Sequence, residues 1–177
     1  MKSLAEALQA LSIAVTSPRG MARVTVSGGG TSVVVRGRGV TAIGEADIAA
    51  EVAAAWRRAL VRRLKATELL QEQWRGNESR APSPELVERA RLRRLALDGV
   101  DVTATSPRGL AKARRKGDLD VALALRPGAL DFLDDDELGA EITAAVRAVD
   151  GARTLARRAA LAAVSEVDRP HPPPPGR

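Results

Sequence analysis

The chain has 177 residues, room for one ordinary domain or two small ones. Lys and Arg number 28 against 22 Asp and Glu, a net charge of +6, and 45% of residues are hydrophobic, which excludes wholesale disorder. There is no cysteine for disulfides, thiolate metal sites or thiol nucleophiles, and one histidine, His171, cannot build a histidine cage or triad.

In chain order, residues 3–10 predict a short amphipathic helix with Leu4, Leu8 and Leu11 on one side. Glu6 and Gln9 interrupt its apolar run and no small-x-small cleavage site follows, so a cytoplasmic protein without a signal peptide is expected. Ile13 and Val15 begin a strand that ends at Ser17-Pro18-Arg19-Gly20, a turn where proline fixes φ and glycine admits positive φ. Ala22, Val24 and Val26 alternate with Arg23, Thr25 and Ser27, the period of a sheet with one wet face. Ser27-Gly28-Gly29-Gly30 turns the chain, and Val33-Val34-Val35 makes a third strand. From Glu45 to Trp74 the period becomes helical, with Ile48, Val52, Trp56, Leu60 and Leu64 four residues apart.

The same order then recurs. Ser83-Pro84-Glu85 starts a helix that runs to Leu97 and stops at Asp98-Gly99. Strands follow near 100–105, 110–116 and 119–125, and Asp134-Asp135-Asp136-Glu137 opens a long final helix at its positive end. Thr16-Ser17-Pro18-Arg19-Gly20-Met21-Ala22-Arg23 reappears as Thr105-Ser106-Pro107-Arg108-Gly109-Leu110-Ala111-Lys112. Asp47-Ile48-Ala49-Ala50-Glu51-Val52 matches Glu137-Leu138-Gly139-Ala140-Glu141-Ile142 one register further on. Two ordered blocks point to a duplication. The expected class is α+β: two α-β-β-β-α repeats, each with an antiparallel three-stranded sheet. The units are 1–75 and 84–167, with a linker at 76–83 and a proline-rich tail at 168–177.

These residues resemble the YbaB/EbfC family of bacterial nucleoid-associated proteins. The resemblance rests on the Thr-Ser-Pro-Arg-Gly turn, the strand Met21 to Val26, the glycine turn, the valine strand and the helix from Asp47. It covers residues 11–66 well and 100–163 more faintly. It implies units that dimerise as tweezers and bind DNA with little sequence preference, here fused as a pseudo-two-fold intramolecular dimer. The first helix, about two turns, is shorter than the family's. The implied setting is cytoplasm and nucleoid, without enzymatic activity, cofactor, metal or small-molecule substrate, and with self-association possible.

A duplex backbone asks for spaced cations. Arg57, Arg58, Arg62, Arg63 and Lys65 form a run with no acid between them, and Arg58, Arg62 and Lys65 fall within about 60° on a helix. Lys112, Arg114 and Lys116 form a ridge on one sheet face, with Arg115 pointing the other way and Arg23 at the equivalent place in the first copy. A third run, Arg89, Arg91, Arg93 and Arg94, is partly neutralised by Glu85 and Glu88. The alternative for all three is a solvated face, with Lys65 pairing to Glu68 or Glu72. The acids at 131–141 would repel phosphate, so any DNA surface is one-sided. With no tyrosine and three aromatics, stacking on single strands is disfavoured. Gly28-Gly29-Gly30 lacks the lysine of a phosphate loop. The expected function is double-stranded DNA binding through phosphates, first by Arg57, Arg58, Arg62, Arg63 and Lys65, then by Arg23, Lys112, Arg114 and Lys116. The rival is a scaffold of the same fold that docks a protein.

Overall fold

The computed structural model describes residues 3–37, 43–75 and 83–167. Among them are five helices and six strands. In order these are α1 (Leu4–Ala10), β1 (Ile13–Thr16), β2 (Ala22–Ser27), β3 (Gly30–Val35), α2 (Glu45–Arg75), α3 (Pro84–Asp98), β4 (Asp101–Thr105), β5 (Ala111–Lys116), β6 (Asp120–Leu125), α4 (Ala129–Phe132) and α5 (Asp135–Val167). Residues 76–82 of the expected linker and the tail 168–177 lie outside the described residues.

Local chemistry sets the element ends. Ser3 and Glu6 form a reciprocal capping box at α1. Ser83 accepts from the Leu86 N–H, with Pro84 in the first turn of α3. Asp134 accepts from the Glu137 N–H at 2.8 Å, and Glu137 accepts in return from the Asp134 N–H. The two Thr-Ser-Pro-Arg-Gly segments make the same turn. Ser17 and Ser106 hydroxyls each accept at 3.0 Å from a backbone N–H five residues on, and Gly20 and Gly109 adopt φ +76° and +72°.

The class is α+β, with two separate antiparallel sheets, β1-β2-β3 and β4-β5-β6. In β2 the alternation is realised as expected: Ala22, Val24 and Val26 are buried and Arg23 is exposed. Helix α2 contributes Ile48, Val52, Ala55, Trp56 and Ala59 to the core, and α5 contributes Leu138, Ile142, Ala145, Val146 and Val149. Both sets join one continuous cluster. Each large side chain taken fully out of water contributes about 1.5–3 kcal/mol.

Neither long helix stays on its own sheet. Helix α2 packs on β1 and β2 and also on β6, whereas α5 packs on β4 and β5 and also on β3. Gly139 permits the second crossing, since a Cβ there would lie 3.1 Å from the Val33 carbonyl oxygen. Thr143 then closes the free edge of β3, accepting from the Val33 N–H at 2.9 Å and donating to its carbonyl at 3.2 Å. Arg147 donates to the Thr31 carbonyl.

Two features differ from the sequence expectation. Strand β3 begins at Gly30 and not Val33, because Thr31 faces inward and finds a partner there in Asp150. The short α4 was not expected; it follows Gly128 at φ +80° and buries Ala129, while the Gly128 N–H donates to Glu45 at the start of α2. Backbone N–H groups, first its own and then that of Gly128, hold the Glu45 carboxyl below its ordinary range.

Candidate nucleic-acid interface

The first run falls on the middle of α2, where the period that buries Ile48, Val52, Trp56 and Ala59 turns the intervening arginines outward. Arg57, Arg58, Arg62 and Lys65 are exposed, while Arg63 is half-buried. Arg57 sits 3.8 Å from Asp120 of β6. Among the described residues no ion pair holds Arg58, Arg62 or Lys65, so the pairing of Lys65 with Glu68 or Glu72 that the alternative of a solvated face supposed does not form. These three side chains make a stripe of unneutralised charge. The positions 90 residues on, in α5, are Ala148, Ala152 and Leu155. The stripe belongs to α2 alone.

The second set lies elsewhere. Strand alternation puts Lys112, Arg114 and Lys116 outward and Ala111, Ala113 and Arg115 inward, so these cations occupy the sheet face away from α5. Arg23 is exposed on the corresponding face of the first sheet, opposite Thr16 and Val34 in the register. Lys112, Arg114 and Lys116 are not, however, the free ridge of charge that alternation alone suggests. Arg114 Nε donates to Asp101 at 2.9 Å, and Lys116 is flanked in register by Asp101 and Asp120. The hydrogen bond from Arg114 holds the Asp101 carboxyl below its usual range. Two of the three cations are thus compensated, and the sheet set and the helix stripe do not form one surface.

The third run behaves as a solvated face in part: Arg91 makes a bidentate pair with Glu88 at 2.7 and 2.8 Å. Arg93 and Arg94 line a groove of about 800 Å³ between α2, α3 and the β5–β6 turn. Lys116 joins them, but Glu68, Asp98, Asp118 and Asp120 line it too. A polyanion gains nothing from that balance.

Sequence reasoning missed a cluster at the β5–β6 turn. Arg153 and Arg157, at helical spacing on α5, both donate to the Asp118 carboxylate, and Arg153 Nε donates to the Gly117 carbonyl at 3.0 Å. Arg115 meets them from β5. The signal available was the inward phase of Arg115, which placed a guanidinium on the buried side of a strand.

Glu141, on the first turns of α5, takes a hydrogen bond from Arg108 Nε at 2.8 Å, and Glu51 of α2 takes one from the Arg19 backbone N–H at 2.9 Å. Among the described residues no cluster of His, Asp and Glu could hold a metal ion, and no helix is long and apolar enough to cross a membrane. No protein-family model, curated protein or solved structure matches the chain.

Proposed function

We propose that this protein binds double-stranded DNA through its phosphates, without enzymatic chemistry and with little sequence preference. The observation that carries the reading is the stripe of Arg58, Arg62 and Lys65, exposed on one face of α2 and not ion-paired to any carboxylate among the described residues. Guanidinium and ammonium groups spaced along a helix displace condensed counterions from a duplex, which supplies affinity without base readout. The acidic start of α5, Asp135 to Glu137, keeps the duplex off that corner.

Within this reading the chain is a duplicated unit of YbaB/EbfC type whose halves clasp as two subunits would. Its support is reciprocal packing, α2 onto β6 and α5 onto β3, together with the two matching serine turns. Such a chain needs no second copy to complete the fold and sediments as a monomer; an obligate dimer would contradict it. Its setting is the bacterial cytoplasm, on the nucleoid.

A fluorescence titration of the full chain into a mixed-sequence duplex tests the function. Affinity should fall steeply with salt, with a slope of about −0.9 per phosphate contacted. Absence of duplex binding at low salt would favour the second reading, a scaffold of the same fold. That reading has its own observation: Leu86, Val87, Leu92 and Leu95 of α3 are exposed.

A further inference from the structure

Arg115 is a buried cation, 8% exposed, in a strand whose other charges face water. Its Nη1 donates to Asp150 at 2.9 Å and its Nη2 to the Asp118 carbonyl at 2.9 Å, but among the described residues its buried Nε has no acceptor. Arg153 and Arg157 converge on the same turn, and both spend their donors on the one carboxylate of Asp118. Arg63 approaches from α2, half-buried and without an ion pair among the described residues. Three guanidiniums, Arg115, Arg153 and Arg157, therefore share two carboxylates, Asp118 and Asp150, and Arg63 brings a fourth cation with no acid of its own. Burial first, and then repulsion from Arg115 and Arg157, pull Arg153 down to about 10. Burial likewise pulls Arg115 below its ordinary value. The cluster is short of negative charge.

Next to it is an open cleft of about 150 Å³ between α2 and the β5–β6 turn. One water needs only about 10–15 Å³, so the cleft admits a four-oxygen anion. Arg63, Thr67 and Arg115 are among its lining residues, and Leu60, Leu64 and Leu119 supply apolar walls that strengthen a charge contact. Asp118 lines it as well, but its charge is committed to Arg153 and Arg157. We propose that this cleft binds a small free oxyanion of the phosphate class, held chiefly by Arg63 with Thr67 and Arg115. Arg63 points about 140° around α2 from Arg58, so the site stands apart from the duplex stripe.

The test is calorimetry of the full chain with inorganic phosphate at constant ionic strength, against chloride. Phosphate up to about 10 mM reaches millimolar dissociation constants. Saturable binding is expected, with Arg63→Ala weakening it about tenfold and Thr67→Val less, as for loss of one charge-assisted contact. The unfolding temperature should rise with phosphate in the wild type and rise clearly less in Arg63→Ala. Three results would overturn the proposal. These are no saturable heat, equal affinity in wild type and Arg63→Ala, or silence with phosphate while Arg63→Ala weakens duplex binding, which would assign Arg63 to a phosphodiester.

Discussion

The hydroxyl of Thr31, in β3, donates to the carboxylate of Asp150, in α5, at 2.8 Å across 119 residues of chain. The other oxygen of Asp150 accepts from Arg115 of β5 at 2.9 Å. One carboxylate thus joins the first sheet, the last helix and the second sheet. Thr31 is 0% exposed, so without Asp150 its hydroxyl would lose the partner that burial requires.

Replacing Asp150 with alanine should cost about 3 kcal/mol, the low end for opening a buried pair, because Arg115 is left uncompensated. Thr31→Val should cost about 1 kcal/mol, one neutral hydrogen bond. Urea denaturation of the double variant should show less than the sum, since the two changes remove a shared contact. Simple additivity would mean that the contact carries no coupling.

The docking of α1 depends on Gly28, where a Cβ would fall 2.4 Å from the Gln9 carbonyl oxygen. Gly28→Ala should displace α1 and lower stability by about 1–2 kcal/mol, within the usual cost of overpacking. Hydrogen exchange should show amides of 4–10 losing protection while those of β2 keep theirs. Gly29→Ala, whose Cβ meets only the Ser27 hydroxyl at 3.7 Å, is the control and should be near neutral.

Glu141 anchors the Arg108 turn to α5. Burial disfavours its charge, but hydrogen bonds from Ser106 and Arg108 outweigh that and leave the carboxyl below its ordinary 4.5. A depressed folded value stabilises the protein above about pH 4.5 and loses that contribution as pH falls through the folded value. Glu141→Gln should therefore cost about 1–2 kcal/mol at neutral pH and flatten the acid limb of stability against pH. An unchanged acid limb would show that Glu141 contributes nothing to it.

The elements were legible because each carries its own punctuation. Period-two alternation fixed the phase of β2 and β5, and the Ser-Pro-Arg-Gly turns and the caps at Ser83 and Asp134 fixed ends. What could not be read was set by distant partners. Gly30-Thr31-Ser32 looks like the end of a glycine turn, but it pairs with β2 as strand, and Asp150 and Arg147 of α5 meet it there. The close crossing of α5 onto β3 is eased by the missing Cβ at Gly139 and held by Thr143, Arg147 and Asp150.

The candidate site was legible to the same depth. Helical phase correctly placed Arg58, Arg62 and Lys65 together and outward. Strand phase put Lys112, Arg114 and Lys116 on one face, yet said nothing of Asp101 and Asp120 on the neighbouring strands. The gathering of Arg63, Arg115, Arg153 and Arg157 joins three elements, and no local pattern encodes it.

The most direct measurement compares salt dependence of duplex binding for the wild type and for the variant carrying Arg58→Ala, Arg62→Ala and Lys65→Ala, with Lys112→Ala/Lys116→Ala as control. The triple variant should stay folded and its log–log slope should flatten by about 2.7, three phosphates at about 0.9 each. The sheet control should change little. An unchanged slope in the triple variant, or a larger loss in the sheet control, would contradict the assignment of α2 as the surface that meets DNA.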